Sequence, residues 1–219
     1  MDMAAPSSPA SSSKTKLLDA ALQVIRTKGY TATTVDDICH AAGLTKGSFF
    51  HHFKGKEELA VAATQHWSAV TGELFAQAPY HALPDPRERV LSYIDLRAQL
   101  LQGELPDFTC LLGTMVQETF ETHPVIRDAC NAGIEAHARM LAQDIALAKA
   151  RHVPAADWDA MDLALYTQAV LQGAFILAKA RGGGAAAAQC IGFLRGHVHL
   201  LLTPGAGACR LRADANTMP

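Results

Sequence analysis

Apolar residues recur at intervals of three and four along most of this chain, the spacing that places side chains on one face of an α-helix. The first such run contains Leu17, Leu18, Ala21, Leu22 and Ile25. Nowhere does an alternation of apolar and polar residues continue long enough to indicate a β-strand. The pattern therefore predicts an all-α fold without internal repeats.

Three short helices are predicted near the N-terminus. Gly29 ends the first, as a glycine that follows a helix commonly does. Thr34, with Asp37 three residues later, is typical of an acidic capping box at the start of the second helix. Gly43 marks a short turn before a third helix over about 45–53. Two short helices joined by a glycine-containing turn are typical of the helix-turn-helix motif.

The remaining helices are longer and are separated by proline and glycine. Helix four is expected from Lys56 to about Gln77, followed by a proline-containing linker. Five more helices are expected at about 87–102, 106–122, 124–150, 156–181 and 185–202. These patterns divide the chain into a disordered arm (1–13), a helix-turn-helix domain (14–58), a larger helical domain (59–203) and a flexible tail (204–219).

The composition is that of a globular protein with reduced thiols. Of the 219 residues, 49% are hydrophobic and 18% are charged, which excludes a disordered or fibrous chain. No apolar run reaches the roughly 18 residues of a membrane helix, and no signal peptide opens the chain, so a cytoplasmic protein without membrane contact is expected. The 5 cysteines form an odd set without a CxxC pair, so no disulfide framework and no metal site are expected.

Charge is unevenly distributed along the chain. The net charge of -2 differs from the basic excess of most nucleic-acid-binding proteins. Residues 14–58, however, contain seven Lys or Arg and five Asp or Glu, which gives 7 - 5 = +2 and leaves -4 for the remainder. This asymmetry indicates that only the N-terminal domain meets a polyanion.

The third helix has two chemically different faces. Phe49 and Phe53 lie four residues apart and are expected on the face that packs inward. In a helix-turn-helix protein, the first residues of the second motif helix contact base edges in the major groove. Those positions are held by Thr45, Lys46, Gly47 and Ser48. Phosphate contacts are expected from the surrounding residues Thr34, His51, Lys54 and Lys56. A solvated basic face without a DNA partner is the alternative.

The segment from Leu17 to Leu59 closely resembles the N-terminal DNA-binding domain of the TetR/AcrR family of bacterial transcriptional regulators. The resemblance is carried by the aromatic residue after Gly29, the paired threonines, the run AGLTKGSFFHHF and the KEEL opening of helix four. It implies DNA contacts from Thr34, Lys46, Gly47, Ser48, Phe50, His51 and Lys56. Phe50 stands where a tyrosine is common, so an apolar contact to thymine or sugar is expected instead of a hydroxyl contact to phosphate.

The same resemblance implies a homodimer whose two N-terminal domains bind the half-sites of a palindromic double-stranded DNA operator. The segment LQGAFILAKARG resembles the family's dimer region, so the last two long helices are expected to form the dimer interface. Packing of these helices inside one chain is the alternative. The resemblance further implies a repressor that a small-molecule inducer of unknown identity releases from DNA, with no cofactor.

An inducer pocket is expected between the N-terminal domain and the dimer helices. Its candidate lining residues are Tyr93, Phe108, Cys110, Thr114, Met115, Glu118 and His137. The run FTCLLG with the downstream HPVIR resembles a branch of the family in which some members sense electrophiles or oxidants through a cysteine. Cys110 is therefore either a reactive redox or electrophile sensor or a small buried hydrophobe.

Two functions of other classes compete with the regulator. A small helical enzyme would need an activated nucleophile, and the sequence contains neither GxSxG nor HExxH nor a glycine-rich phosphate loop. No catalytic residue is therefore predicted. A protein-binding adaptor would share the helical pattern but would not show the steep salt dependence of DNA binding.

Overall fold

The computed structural model describes residues 12–205, and it confirms the all-α fold: this range contains ten α-helices and no strand. The helices are α1 (Ser13–Lys28), α2 (Val35–Ala42), α3 (Lys46–His52), α4 (Lys56–Ala76), α5 (Pro86–Gln99), α6 (Leu105–Phe108), α7 (Leu111–Thr119), α8 (Pro124–His152), α9 (Ala160–Arg181) and α10 (Ala185–Leu201). A 3₁₀ turn spans Pro79–Ala82. Most of the predicted arm and tail lies outside the described residues, and within the arm Ser12 caps α1.

The helix ends of the N-terminal region form as the sequence predicts. Gly29 has φ 86°, and its N–H donates to the carbonyl of Ile25 at the end of α1. The capping box of α2 is present, because the Thr34 hydroxyl accepts from the Asp37 N–H while the Asp37 carboxylate accepts from the Thr34 N–H. Gly43, at φ 64°, ends α2 in the left-handed conformation that glycine adopts readily.

One predicted helix is in fact two. The single helix expected over 106–122 is interrupted after Phe108, because Thr109 has extended backbone angles (φ -80°, ψ 153°) and its fully buried side chain lies between the ends of α6 and α7. Cys110 is consequently the residue before α7, not a residue of the first turn of a longer helix. Helix α9 begins later than expected, at Ala160, because the Asp159 carboxylate caps it by accepting from two main-chain N–H groups.

The chain forms two compact units that do not follow the predicted contiguous division. Among residues 12–205, unit 1 contains residues 12–70 and 111–131, and unit 2 contains residues 71–110 and 132–205. The sequence places helix α7 in the domain of residues 59–203. In the structure α7 belongs to unit 1, because it packs on α1 and buries Leu111, Leu112 and Met115. Burial of this apolar face, which is a long-range effect, decides the membership of α7.

Unit 2 has a core in which α5 and α9 both pack against α10. Its largest buried side chains are aromatic or β-branched and come from all of its long helices: Phe75, Tyr80, Tyr93, Ile94, Ile145, Phe175 and Ile191. Within residues 12–205, α9 is the one helix whose length and apolar composition would suffice to cross a membrane. Its buried residues, which include the polar Thr167 and Gln168, place it in the core of unit 2.

Within unit 1, the loop after α1 is fastened to α7 by Glu118. The Glu118 carboxylate accepts a hydrogen bond of 2.7 Å from the N–H of Thr31 and lies against Gly29 so closely that a Cβ there would collide with it. The backbone of Gly29 (φ 86°, ψ 163°) also falls in a region that is essentially restricted to glycine. Gly29 is therefore required both for its conformation and for the approach of Glu118.

Replacing Gly29 by alanine should destabilise the protein more than replacing Gly43. Gly43→Ala adds a Cβ in open space and costs only the left-handed conformation, about 1 kcal/mol. Gly29→Ala adds a more strained conformation, about 2 to 3 kcal/mol, and a collision with Glu118. Denaturant unfolding of both variants measures the difference. Equal costs would contradict both the greater strain at Gly29 and the collision with Glu118, whereas a difference that becomes smaller in a Glu118→Ala background would assign that part of the cost to the collision.

Candidate DNA-binding surface and ligand site

Helix α3 buries one face and exposes the other. Phe49 and Phe53 are 0% and 3% exposed, and their rings pack against each other with centroids 5.7 Å apart. The neighbouring Phe50 is 57% exposed. The exposed positions of the predicted reading surface are Thr45, Lys46, Gly47, Phe50, His51 and Lys54, and Ser48 is half-buried. Burial of the two phenylalanines thus turns these residues outward together.

Two threonine hydroxyls on this surface serve as helix caps. Thr45 accepts from the N–H of Ser48 at 3.2 Å and so begins α3. The Thr34 hydroxyl donates to Asp37 at 2.6 Å, and Lys28 forms an ion pair with the same carboxylate at 2.6 Å. These hydrogen bonds, first from Lys28 and then from Thr34, hold the pKa of Asp37 well below its usual range. The hydroxyl of Thr34 is therefore already used within the cap.

Lys46, the main candidate for base contact, is tethered to α2. Its ammonium lies 2.8 Å from the Asp36 carboxylate, and the hydrogen bond to Asp36 raises the pKa of Lys46. Both side chains are more than half exposed, so this ion pair is screened by solvent and contributes little to stability. A guanine O6 or N7 atom can compete for the ammonium at small cost, and Asp36 is a negative charge at the same surface.

Lys56 contacts the main chain rather than solvent. Its ammonium donates to the carbonyls of Tyr30 at 3.1 Å and Thr33 at 3.0 Å, and it lies 4.3 Å from the centroid of the Tyr30 ring. Burial lowers the pKa of Lys56, opposed by the charge of Glu118. In unit 1 the ammonium of Lys56 binds the loop after α1. Its contact with a DNA phosphate stays a prediction.

The two adjacent histidines of α3 differ in their surroundings. His51 is exposed, whereas the His52 ring lies 2.7 Å from the Ser13 hydroxyl at the start of α1. In the part of the chain that the structure describes, no cluster of three or more potential metal ligands occurs. His51 is therefore the member of the pair that is available to a DNA phosphate.

The predicted pocket residues are divided between the two units. Tyr93, Phe108, Cys110 and His137 belong to unit 2, whereas Thr114, Met115 and Glu118 belong to unit 1. Thr114 and Met115 are buried, and Glu118 contacts the loop after α1. Within unit 2 the structure brings Tyr93 and His137 together, and Phe108 and Cys110 pack on the same core.

A chain of polar side chains crosses the apolar core of unit 2. The amide of Gln168 donates to the Tyr93 hydroxyl at 3.3 Å, and that hydroxyl lies 2.8 Å from Nε2 of His137. Burial, and then the charge of Arg97, lower the pKa of His137 to about 3, so the imidazole is neutral at neutral pH and accepts from Tyr93. Burial also raises the pKa of Tyr93, which keeps its phenol protonated. Polar side chains placed among apolar ones make this part of unit 2 the candidate ligand site.

Four residues of this candidate site are absent from the set predicted from the sequence. They are Phe75, Arg97, Gln168 and Phe175. Arg97 follows Tyr93 by four residues in α5, and Gln168 is a polar residue within the apolar pattern of α9, so both left a signal in the sequence. The sequence does not mark Phe75 and Phe175 as pocket residues, because apolar residues of a core and of a pocket have the same helical spacing.

The sequence of the chain matches two family profiles. Residues 17–63 match the profile described as bacterial regulatory proteins, tetR family, and residues 86–194 match the tetracyclin repressor-like C-terminal domain. The chain belongs to the TetR family. It is accordingly a DNA-binding transcriptional regulator and not an enzyme, and this conclusion rests on the family and not on the absence of a catalytic motif.

Individual members of the TetR family are similar to this chain over about half of its length or more. The transcriptional regulator AcuR of Cereibacter sphaeroides is 28% identical over 163 residues, which are 74% of this chain and 74% of AcuR. The transcriptional repressor KstR2 of Rhodococcus jostii is 30% identical over 122 residues, 48% of this chain and 60% of KstR2. The crystal structure of a regulatory protein TetR from Rhodobacter sphaeroides has a TM-score of 0.76 at 26% identity, covering 85% of this chain and 99% of that one.

The cysteines of this TetR-family regulator are free thiols as far as the structure describes them. Cys39 and Cys130 are buried, Cys110 and Cys190 are half-buried, and Cys209 lies outside the described residues. Cys110 packs on the core of unit 2 near Tyr93. A thiol in this place fits either hypothesis for Cys110, so the reactive sensor stays a prediction.

Lys46→Ala should weaken binding to the preferred operator about tenfold and reduce discrimination between bases, because a base-edge contact is lost. Asp36→Asn should act in the opposite direction and tighten binding, since it removes a negative charge from the reading surface and frees Lys46. Gel-shift titrations on a selected operator measure both. Asp19→Asn, which makes the same change in net charge at the His66 contact on α1, is the control. Unchanged operator binding by Lys46→Ala would contradict the assignment of the reading surface.

Lys56→Met should lower the free energy of unfolding by about 1 to 3 kcal/mol, because the carbonyls of Tyr30 and Thr33 lose their charged donor. Its effect on DNA distinguishes the two roles of this lysine. If the ammonium only fastens the loop, the dependence of log affinity on log salt is unchanged; a phosphate contact would reduce that slope by about one. From the geometry we expect the unchanged slope, and a shallower one would restore Lys56 to the phosphate contacts.

Proposed function

We propose that this chain is a homodimeric transcriptional repressor of the cytoplasm that binds a palindromic operator and is released by a small-molecule inducer bound in unit 2. The observation that carries the proposal is the outward surface of α3, where Lys46, Gly47 and Phe50 are exposed together while Phe49 is buried. A helix that presents such a face at the end of a helix-turn-helix motif is suited to the major groove.

The proposed dimer interface is an exposed apolar face on α9 and α10. Phe193 is 82% exposed, which is unusual for a large aromatic side chain, and it lies between Gly192 and Gly196, whose Cα positions face open space. The other large exposed apolar side chains of these two helices are Leu165, Tyr166, Ile176, Leu177 and Leu200. Contiguous exposed apolar surface of this kind marks an interaction site, and the glycines permit close approach of a second helix.

Release by a small molecule is supported by the polar chain in unit 2. Gln168, Tyr93 and His137 are hydrogen-bonded inside an otherwise apolar core, and the net contribution of buried hydrogen bonds to stability is modest. A few placed polar groups among aromatic walls are what gives a small-molecule site its specificity. Repression, rather than activation, is supported by relatives such as KstR2 that are named repressors.

Selection of bound DNA from a random pool tests the whole proposal. We expect an enriched sequence with two-fold symmetry, because two copies of α3 related by a dimer axis read two equivalent half-sites. An enriched sequence without symmetry would contradict the dimeric reader, and the absence of any enrichment would contradict specific DNA binding.

Phe193→Glu should convert the dimer into a monomer and weaken operator binding about 100-fold or more, because the second half-site no longer benefits from linkage to the first. Sedimentation measures the mass, and gel shift measures the affinity. Phe120→Glu, which introduces the same charge at an aromatic residue of unit 1 that is 57% exposed, is the control and should leave the dimer intact. If the Phe193→Glu protein is still a dimer, the interface does not lie at Phe193, and the proposed position on α9 and α10 is wrong.

A further inference from the structure

Arg97 brings a permanent positive charge into the aromatic core of unit 2. The carbon of its guanidinium lies 5.2 Å from the ring centroid of Phe75 and 5.7 Å from that of Phe175. Those rings are 2% and 5% exposed, so the charge is held beside nearly buried aromatic groups. An arginine cannot lose its proton under physiological conditions, so the half-buried guanidinium of Arg97 stays charged beside these rings.

Within residues 12–205, three other half-buried arginines of unit 2 have a carboxylate partner, which Arg97 lacks. Arg89 pairs with Asp144 and Arg195 pairs with Asp95, in both cases at 2.6 Å, and Arg87 lies 3.5 Å from Glu88. Among the residues that the structure describes, Arg97 has neither an ion pair nor a hydrogen bond, and its contacts are the two rings. Aromatic faces attract the charge but offer no acceptor in the plane of the five N–H donors.

The groups around Arg97 do not supply the missing negative charge. Tyr93 and His137 lie near the guanidinium, but both are neutral, and the Tyr93 hydroxyl is hydrogen-bonded to the His137 ring. The site therefore has a net charge of about +1, free donors in a planar fork and aromatic walls. The fork matches the two oxygens of a carboxylate, and the walls match a flat apolar body.

We propose that Arg97 is the anion-binding residue of the ligand site in unit 2, and that the ligand is a small monocarboxylate with a planar apolar body. The proposal rests on the proposed inducer function and names the chemical class of the inducer. Arg97 holds the carboxylate, Phe75 and Phe175 contact the body, and the chain from Gln168 through Tyr93 to His137 provides a second polar side to the site.

The test compares carboxylates with their uncharged amides on the full-length protein. The probes are benzoate, phenylacetate and hexanoate, each paired with its primary amide, and inorganic phosphate at the same ionic strength. Calorimetry should show each aromatic carboxylate binding at least about tenfold more tightly than its amide, as expected for a charge-assisted hydrogen bond. No preference for carboxylate over amide in any pair would overturn the inference. Phosphate binding as tight as benzoate binding would overturn the apolar body.

Variants of Arg97 locate the effect. Arg97→Met should abolish the preference for carboxylate while leaving amide affinity within about twofold, whereas Arg181→Met, at an exposed residue of the same unit, should behave as wild type. If Arg97→Met does not fold, Arg97→Lys keeps the charge, loses the fork and should weaken carboxylate binding by several fold. Wild-type carboxylate preference in a folded Arg97 variant would overturn the assignment.

Operator binding separates this inference from the proposed function. A dimer that binds its operator but shows no carboxylate preference would overturn the inference alone. Carboxylate binding that depends on Arg97 but leaves operator affinity unchanged would support the site and overturn its role in release. Failure to select any operator would overturn the proposed function, whatever the calorimetry shows.

Discussion

Burial of Phe49 and Phe53 is the constraint on which the DNA-binding surface depends. In a helix of seven residues only one side can pack inward, and these two rings occupy it. Lys46, Gly47 and Phe50 are exposed as a consequence, and Lys46 is in addition paired with Asp36 of α2. The caps at Thr34 and Thr45 define where α2 and α3 begin, so the register of the exposed face follows from local hydrogen bonds as well as from the core.

The loop between α1 and α2 shows how unit 1 extends beyond the helix-turn-helix motif. Glu118 of α7 accepts from Thr31, Lys56 of α4 donates to Tyr30 and Thr33, and the Tyr30 ring packs against His123. Residues nearly ninety positions apart thus hold one loop. Lys56, which the sequence predicts to contact phosphate, donates to main-chain carbonyls within unit 1. Glu118, which the sequence predicts to line a pocket, binds the same loop.

Unit 2 combines two features that usually exclude each other, an aromatic core and a group of polar side chains within it. The polar chain from Gln168 to His137 is internally satisfied, and burial keeps both titratable members neutral. Arg97 differs because it is charged and its partners are rings. The contrast with Arg89 and Arg195, which have carboxylate partners, is what gives the site its chemical character.

The sequence by itself determined the helical class, the caps at Gly29, Thr34 and Gly43 and the two faces of α3, because each depends on residues within one or two helical turns. It did not reveal the break at Thr109, the transfer of α7 to unit 1 or the engagement of Lys56 and Glu118. Those features depend on contacts between residues far apart in the chain. The contacts of Arg97 with Phe75 and Phe175 are also long-range, since the three residues come from three helices that only the tertiary fold brings together.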